Sequence, residues 1–190
     1  MQNKKSLYII GFAIVVIAGV FFLKKTPTAD LSFSPKTEVA TTTPAQTDVN
    51  DGRYINPNYA FSFIPPKGFT VSSFGDTDQS GTPVTTVLIQ EESLYKKGAQ
   101  ILISAWDERE SALTPERIHH DIPSMHMEDV STRNIVNIGT VVEFTSDNPD
   151  FAGKSREIWF VAHDDLYQMS TYAENEALVD GILSTWDFQQ

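Results

Sequence analysis

The chain has 190 residues, a net charge of −11 at pH 7, 41% hydrophobic residues and no cysteine. Length and composition point to one globular domain. The missing cysteine excludes a disulfide scaffold, a thiolate zinc site, a cysteine nucleophile and a lipidated cysteine. The acidic balance without a basic patch argues against nucleic acid as a partner.

The charge is unevenly spread. Residues 1–25 hold Lys4, Lys5, Lys24 and Lys25 and no acid, while all 25 acids lie beyond them. A cationic end therefore precedes a strongly acidic body. Leu7 to Leu23 reads LYIIGFAIVVIAGVFFL, without a charge. As a helix it would span ~25 Å, slightly short of a ~30 Å hydrocarbon core. The flanking Lys5 and Lys24 can snorkel to make up the difference. A cleaved signal peptide has a shorter apolar core and a small-x-small site. Here the run closes on Phe21, Phe22, Leu23 and two lysines, and Pro27 occupies the −3 position of the nearest candidate cleavage residue, Ala29. The expectation is a short cytoplasmic tail at 1–6, an uncleaved single-pass membrane anchor at 7–23 and a body outside the cytoplasm. Positive charge on both flanks gives the orientation little support of its own.

Residues 26–52 contain seven Thr and three Pro. Such a segment buries too little apolar surface to offset chain entropy and reads as a disordered linker. At ~5–6 Å times the square root of its length it would hold the body ~25–30 Å from the membrane.

Residues 53–190 suffice for one independent core, and the expectation is a monomeric domain. Alternation predicts strands at 59–64, 69–74, 84–90, 101–106, 133–138, 140–146, 158–162 and 166–172. Gly75 to Pro83 reads as a polar loop, and His163-Asp164-Asp165 as a hairpin turn. A helix of about two turns starts at Thr114-Pro115, a cap followed by proline, and is limited by Pro123. A second runs from Glu176 to Trp186, with Asn175 as cap and Leu178, Val179, Ile182, Leu183 and Trp186 on one stripe. Gly181 in its middle costs ~1 kcal/mol against Ala. Strands dominate, so the fold class is α+β: a central, mainly antiparallel sheet flanked by helices.

The two ends of this domain carry a resemblance. Tyr54-Ile55-Asn56 followed by Tyr59-Ala60-Phe61-Ser62-Phe63-Ile64-Pro65-Pro66-Lys67-Gly68-Phe69 resembles the opening of PsbP-like domains. Those begin with Y-x-N and then G-F-S-F-x-Y-P-x-G-W. Leu166-Tyr167-Gln168-Met169 and Ile182 to Phe188 resemble the family's last strand and helix. Ala60 stands for the usual Gly, Pro65 for Tyr and Phe69 for Trp. The resemblance implies an α/β/α sandwich. These are packing residues, so it implies a fold and carries no catalytic residue.

Candidate chemistry is sparse. His119-His120-Asp121-Ile122-Pro123-Ser124-Met125-His126-Met127-Glu128-Asp129 is the densest polar cluster, with ligand types suited to zinc or copper. Adjacent His119 and His120 diverge by about 100° on a helix, and H-E-x-x-H is absent. The segment reads as a solvated helix and loop with Met125 or Met127 packed beneath. Asp107-Glu108-Arg109-Glu110 reads as a solvated loop rather than a catalytic acid pair. Asp147-Asn148-Pro149-Asp150 lacks the ligand spacing of an EF-hand. Trp106, Trp159 and Trp186 read as packing residues. No nucleophile elbow or phosphate loop is present. The sequence thus points to no enzyme, no cofactor and no metal. It points to a membrane-anchored binding or accessory module with an envelope or cell-surface partner. The alternative is an extracytoplasmic hydrolase or metal-handling protein whose site escapes sequence motifs.

Overall fold

The computed structural model describes residues 52–77, 81–91, 98–106, 112–147, 151 and 153–189. The apolar run at 7–23, the linker at 26–52 apart from Gly52, the acidic run at 107–110 and residues 148–150 lie outside the described residues. Among the described residues no helix is long and apolar enough to cross a membrane.

In chain order the elements are β1 (Tyr54–Asn56), β2 (Phe61–Phe63), β3 (Phe69–Thr77), β4 (Pro83–Glu91), β5 (Gly98–Ala105), α1 (Pro115–Asp121), β6 (Met127–Ile135), β7 (Gly139–Ser146), β8 (Ser155–Ala162), β9 (Asp165–Tyr172), α2 (Glu176–Ser184) and β10 (Asp187–Phe188). Seven strands form one sheet in the order β3-β4-β5-β9-β8-β7-β6, and β1-β2-β10 form a smaller one. Every neighbouring pair is antiparallel.

Period-two alternation sorts the large sheet into two apolar faces. One face carries Val87, Ile89, Ile101, Ile103, Ile158, Phe160, Tyr167 and Met169. It is covered by Val179, Ile182 and Leu183 of α2, by Trp186, and by Phe61 and Phe63 of the small sheet. The opposite face carries Val142, Phe144 and Trp159 beneath Ile118 and Ile122, with Met125 and Met127 alongside. The reason is topological. β5 pairs with β9, so the chain leaving β5 reaches the far edge at β6, with α1 on the way.

Local chemistry accounts for the ends of α1. The Thr114 Oγ1 accepts from Arg117 N–H at 3.1 Å, with Pro115 at the first turn. Ile122 N–H closes on Ile118 O at 2.9 Å just before Pro123.

The structure corrects several expected boundaries. β3 continues through Gly75 to Thr77, because β4 offers register partners as far as Pro83. Pro83 lacks an N–H but is tolerated as the first residue of its strand. The segment from Met127 to Asp129 is edge strand rather than loop, since Met127 and Glu128 pair with Ser146 and Thr145. A register shift before Ser131, with Asp129 at φ 51°, follows it. Helix α2 stops at Ser184, so Trp186 lies beyond it, where Trp186 N–H still reaches Leu183 O at 3.2 Å. Asn175 makes no side-chain cap bond; a 3-10 turn over Ala173–Asn175 leads into the helix instead. The short strands β1 and β10 were too brief for periodicity to reveal.

Candidate functional site

The His-Met segment divides between core and solvent. Ile118 and Ile122 turn inward, and Met125 and Met127 pack with them against the sheet. His119 and His120 are exposed, the latter 3.1 Å from Asp121 Oδ1. Arg117 bridges to Asp121 one turn away and lies over the Trp106 ring at 5.1 Å. His126 is the histidine that meets acids from elsewhere. Its Nδ1 lies 3.1 Å from Asp147 Oδ2 and 3.8 Å from Glu128 Oε1. Lys154 is ion-paired with the same Glu128, and its charge is further held by Asp147 and Asp129. Two clusters that read separately in sequence therefore meet where β6, β7 and β8 share an end. Among the described residues no three His, Cys, Asp or Glu side chains form a group that could hold a metal ion.

Trp159 on β8 and Trp186 just past α2 pack in the two core clusters, and Trp106, just past β5, is buried as well. Trp186 stacks on Phe61 at 4.4 Å and 8°, and on Phe63 at 5.7 Å and 10°. Trp159 meets Phe144 edge-on at 5.4 Å.

Sequence reasoning missed the buried carboxylates. Glu157 is 1% exposed. It accepts from Ser155 Oγ at 2.6 Å, Ser170 Oγ at 2.5 Å and Trp159 Nε1 at 3.2 Å. The signal was available: the inward register of Trp159, continued two residues back, lands on Glu157. Glu143 on β7 takes Arg133 on one oxygen and Arg156 Nη2, at 2.7 Å, on the other. Arg133 reaches on to Asp180 at 2.6 Å, and Arg156 to Glu176 at 3.3 Å. This chain of charges fastens α2 to β6, β7 and β8. Both carboxylates are thereby committed to holding the fold.

A third group lies at the β8–β9 turn. His163 and Asp164 both have positive φ, which a two-residue hairpin of this kind requires. The His163 ring meets Phe188 at 4.8 Å. Burial pushes the Asp165 carboxyl up from its ordinary pKa, Asp164 adds to the shift and His163 opposes it. Tyr167 two residues on is fully buried and its hydroxyl is pushed up strongly, again mainly by burial. Among the described residues the Tyr167 hydroxyl and the Trp186 indole N–H have no hydrogen-bond partner.

No model of a known protein family matches the chain, and no curated protein sequence matches it.

Proposed function

We propose that this chain is a single-pass membrane protein carrying a non-enzymatic binding or accessory domain outside the cytoplasm. The observation that carries the reading is the uncharged run at 7–23, flanked by lysines and followed by a linker and body that together hold every acid of the chain. The geometry is compatible with a non-catalytic role. Glu143 and Glu157 are tied into bonds between strands and helix, and His126 is an exposed side chain among ion pairs.

We further infer a PsbP-like domain. What supports it is that the two sequence ends bearing the resemblance pack on each other: Phe61 and Phe63 stack against Trp186. Tyr54 and Asn56 of the Y-x-N element are both buried, with Asn56 Nδ2 donating to Tyr54 Oη at 3.1 Å. Ala60 occupies φ 49°, a conformation that favours the glycine of the family pattern.

Protease treatment of intact cells tests the topology. The expected outcome is loss of the body with a membrane-embedded fragment ending near residue 26. A mature chain beginning near residue 30, or a body that stays protected, refutes it.

A further inference from the structure

We propose that the mouth between the two sheets at Asp165 binds a small primary alkylammonium ligand, held by the Asp165 carboxylate and the Tyr167 and Tyr59 hydroxyls. The assignment uses neither the anchor nor the PsbP-like reading, and both stand whatever its outcome.

Strand register builds the floor. Asp165, Tyr167 and Met169 share one face of β9, the face that the small sheet covers. Ala105 on β5 and Ala162 on β8 are the cross-strand neighbours of Asp165. Both are small, so the carboxylate is flanked only by methyl groups. Ala105 is exposed and Asp165 half-buried, so the floor opens to solvent there. One step further in, the larger Ile103 and Phe160 flank Tyr167 and close the space. The roof is aromatic. The Tyr59 ring stands edge-on to Tyr167 at 6.5 Å, and Phe188 meets Tyr167 at 5.8 Å and His163 at 4.8 Å. Tyr59 Oη donates to Thr85 Oγ1 at 2.9 Å, which fixes its ring over the sheet.

Two observations name the chemistry of the ligand. The Tyr167 hydroxyl is fully buried and, among the described residues, has no hydrogen-bond partner. Asp165 and Tyr59 both act on it electrostatically, so it lies on the mouth side of its ring. Asp165 in turn has no lysine or arginine beside it among the described residues. Burial and the neighbouring Asp164 both disfavour its charge, and His163 alone opposes them.

The mouth therefore gathers acceptor oxygens without a matching donor: a carboxylate, an unmet phenol and the remaining lone pair of Tyr59 Oη. A primary ammonium brings three N–H donors and the missing positive charge. The rings of Tyr59 and Phe188 suit a cation, and Ala105 and Ala162 suit its alkyl stem. Other ligand classes fit less well. Calcium takes ~6–8 oxygens, more than the mouth offers. An anion would meet Asp164 and Asp165 together. A quaternary ammonium has no N–H and leaves the Tyr167 hydroxyl unmet.

Titration of the full chain in a non-ionic detergent with propylammonium chloride tests this. Saturation transfer to the ligand protons is followed at about pH 8, where an ordinary imidazole is neutral. Salt at ~0.15 M screens diffuse attraction to the acidic body. The expected result is a saturable isotherm, weakened about tenfold or more by Asp165→Asn and several-fold by Tyr167→Phe. Ala105→Leu, which fills one flank and leaves Asp165 in place, should block binding as well. Glu174→Gln removes one exposed charge at the opposite end of β9 and should change nothing. Trimethylpropylammonium and 1-propanol should bind far more weakly than propylammonium. Absence of saturation overturns the site. Equal weakening by Asp165→Asn and Glu174→Gln overturns it too, by showing counterion attraction only. Unchanged binding in Tyr167→Phe assigns that hydroxyl to a buried water and overturns the proposed ligand set.

Discussion

Trp159 and Trp186 form a natural matched pair. Both are 2% exposed and both sit in aromatic company. They differ in one bond: Trp159 Nε1 donates to the Glu157 carboxyl group at 3.2 Å, whereas Trp186 Nε1 has no partner among the described residues. Replacing either by Phe removes a similar volume, which costs ~1–2 kcal/mol in lost contacts and cavity. Trp159→Phe also removes a donor from a buried carboxyl acceptor, worth ~1–3 kcal/mol. Trp186→Phe removes a buried N–H that is already unmet, relieving ~1–3 kcal/mol. The expected costs are therefore ~2–5 kcal/mol for Trp159→Phe and close to zero for Trp186→Phe. At ~3–4 °C per kcal/mol for a domain of this size, the two melting temperatures should differ by about 10 °C. Urea unfolding of the chain from residue 26 onward, followed by far-UV circular dichroism, measures both. In a Glu157→Gln background the extra cost of Trp159→Phe should shrink. Equal costs for the two single substitutions, or a larger cost at Trp186, would refute the reasoning.

Three smaller effects follow from backbone and charge. Gly181 lies in α2, has ordinary helical φ, and a Cβ there would meet nothing within 4 Å. Gly181→Ala should stabilise by ~0.5–1 kcal/mol, read as a higher urea midpoint at unchanged slope. Ala60 holds φ 49° while its carbonyl accepts from Gln189 N–H at 2.7 Å. Ala60→Gly should gain about 0.5–1 kcal/mol, since relief of left-handed strain outweighs the added chain entropy; a loss on melting would show that strain is absent. Asp165 has a folded-state pKa above its ordinary value, so the folded protein holds this proton more tightly than the unfolded chain. Its contribution falls as pH rises from the ordinary carboxylate value through the folded one. Asp165→Asn should therefore stabilise at neutral pH and lose that advantage in acid, a crossing visible in paired melting curves.

Alternation made the large sheet readable. Ile101 and Ile103 on one strand, and Ile158 and Phe160 against Trp159 on another, sort to the faces that the structure shows. The α1 start was equally plain, because Thr114-Pro115 is a local device. What the sequence hid depends on partners remote in the chain. Glu128 is strand because Thr145 lies beside it, and Thr77 because Pro83 does. The ion-pair chain through Glu143 needs Arg133, Arg156, Asp180 and Glu176, which share no spacing that periodicity can detect. The His126–Asp147 approach is of the same kind.

The pairing of β5 with β9 sets an order of events during synthesis. The first three strands of the large sheet emerge together, yet Ile101 must wait for Met169 as its cross-strand neighbour. Until then β5 offers an open edge with apolar side chains beneath it, a template for the same strand of another nascent chain. Such distant pairing also delays folding. A chain stopped before Asp165 keeps that edge permanently, and one stopped before Trp186 leaves Phe61 and Phe63 without their stacking partner. Premature termination in this protein should thus yield aggregating fragments rather than shorter working domains.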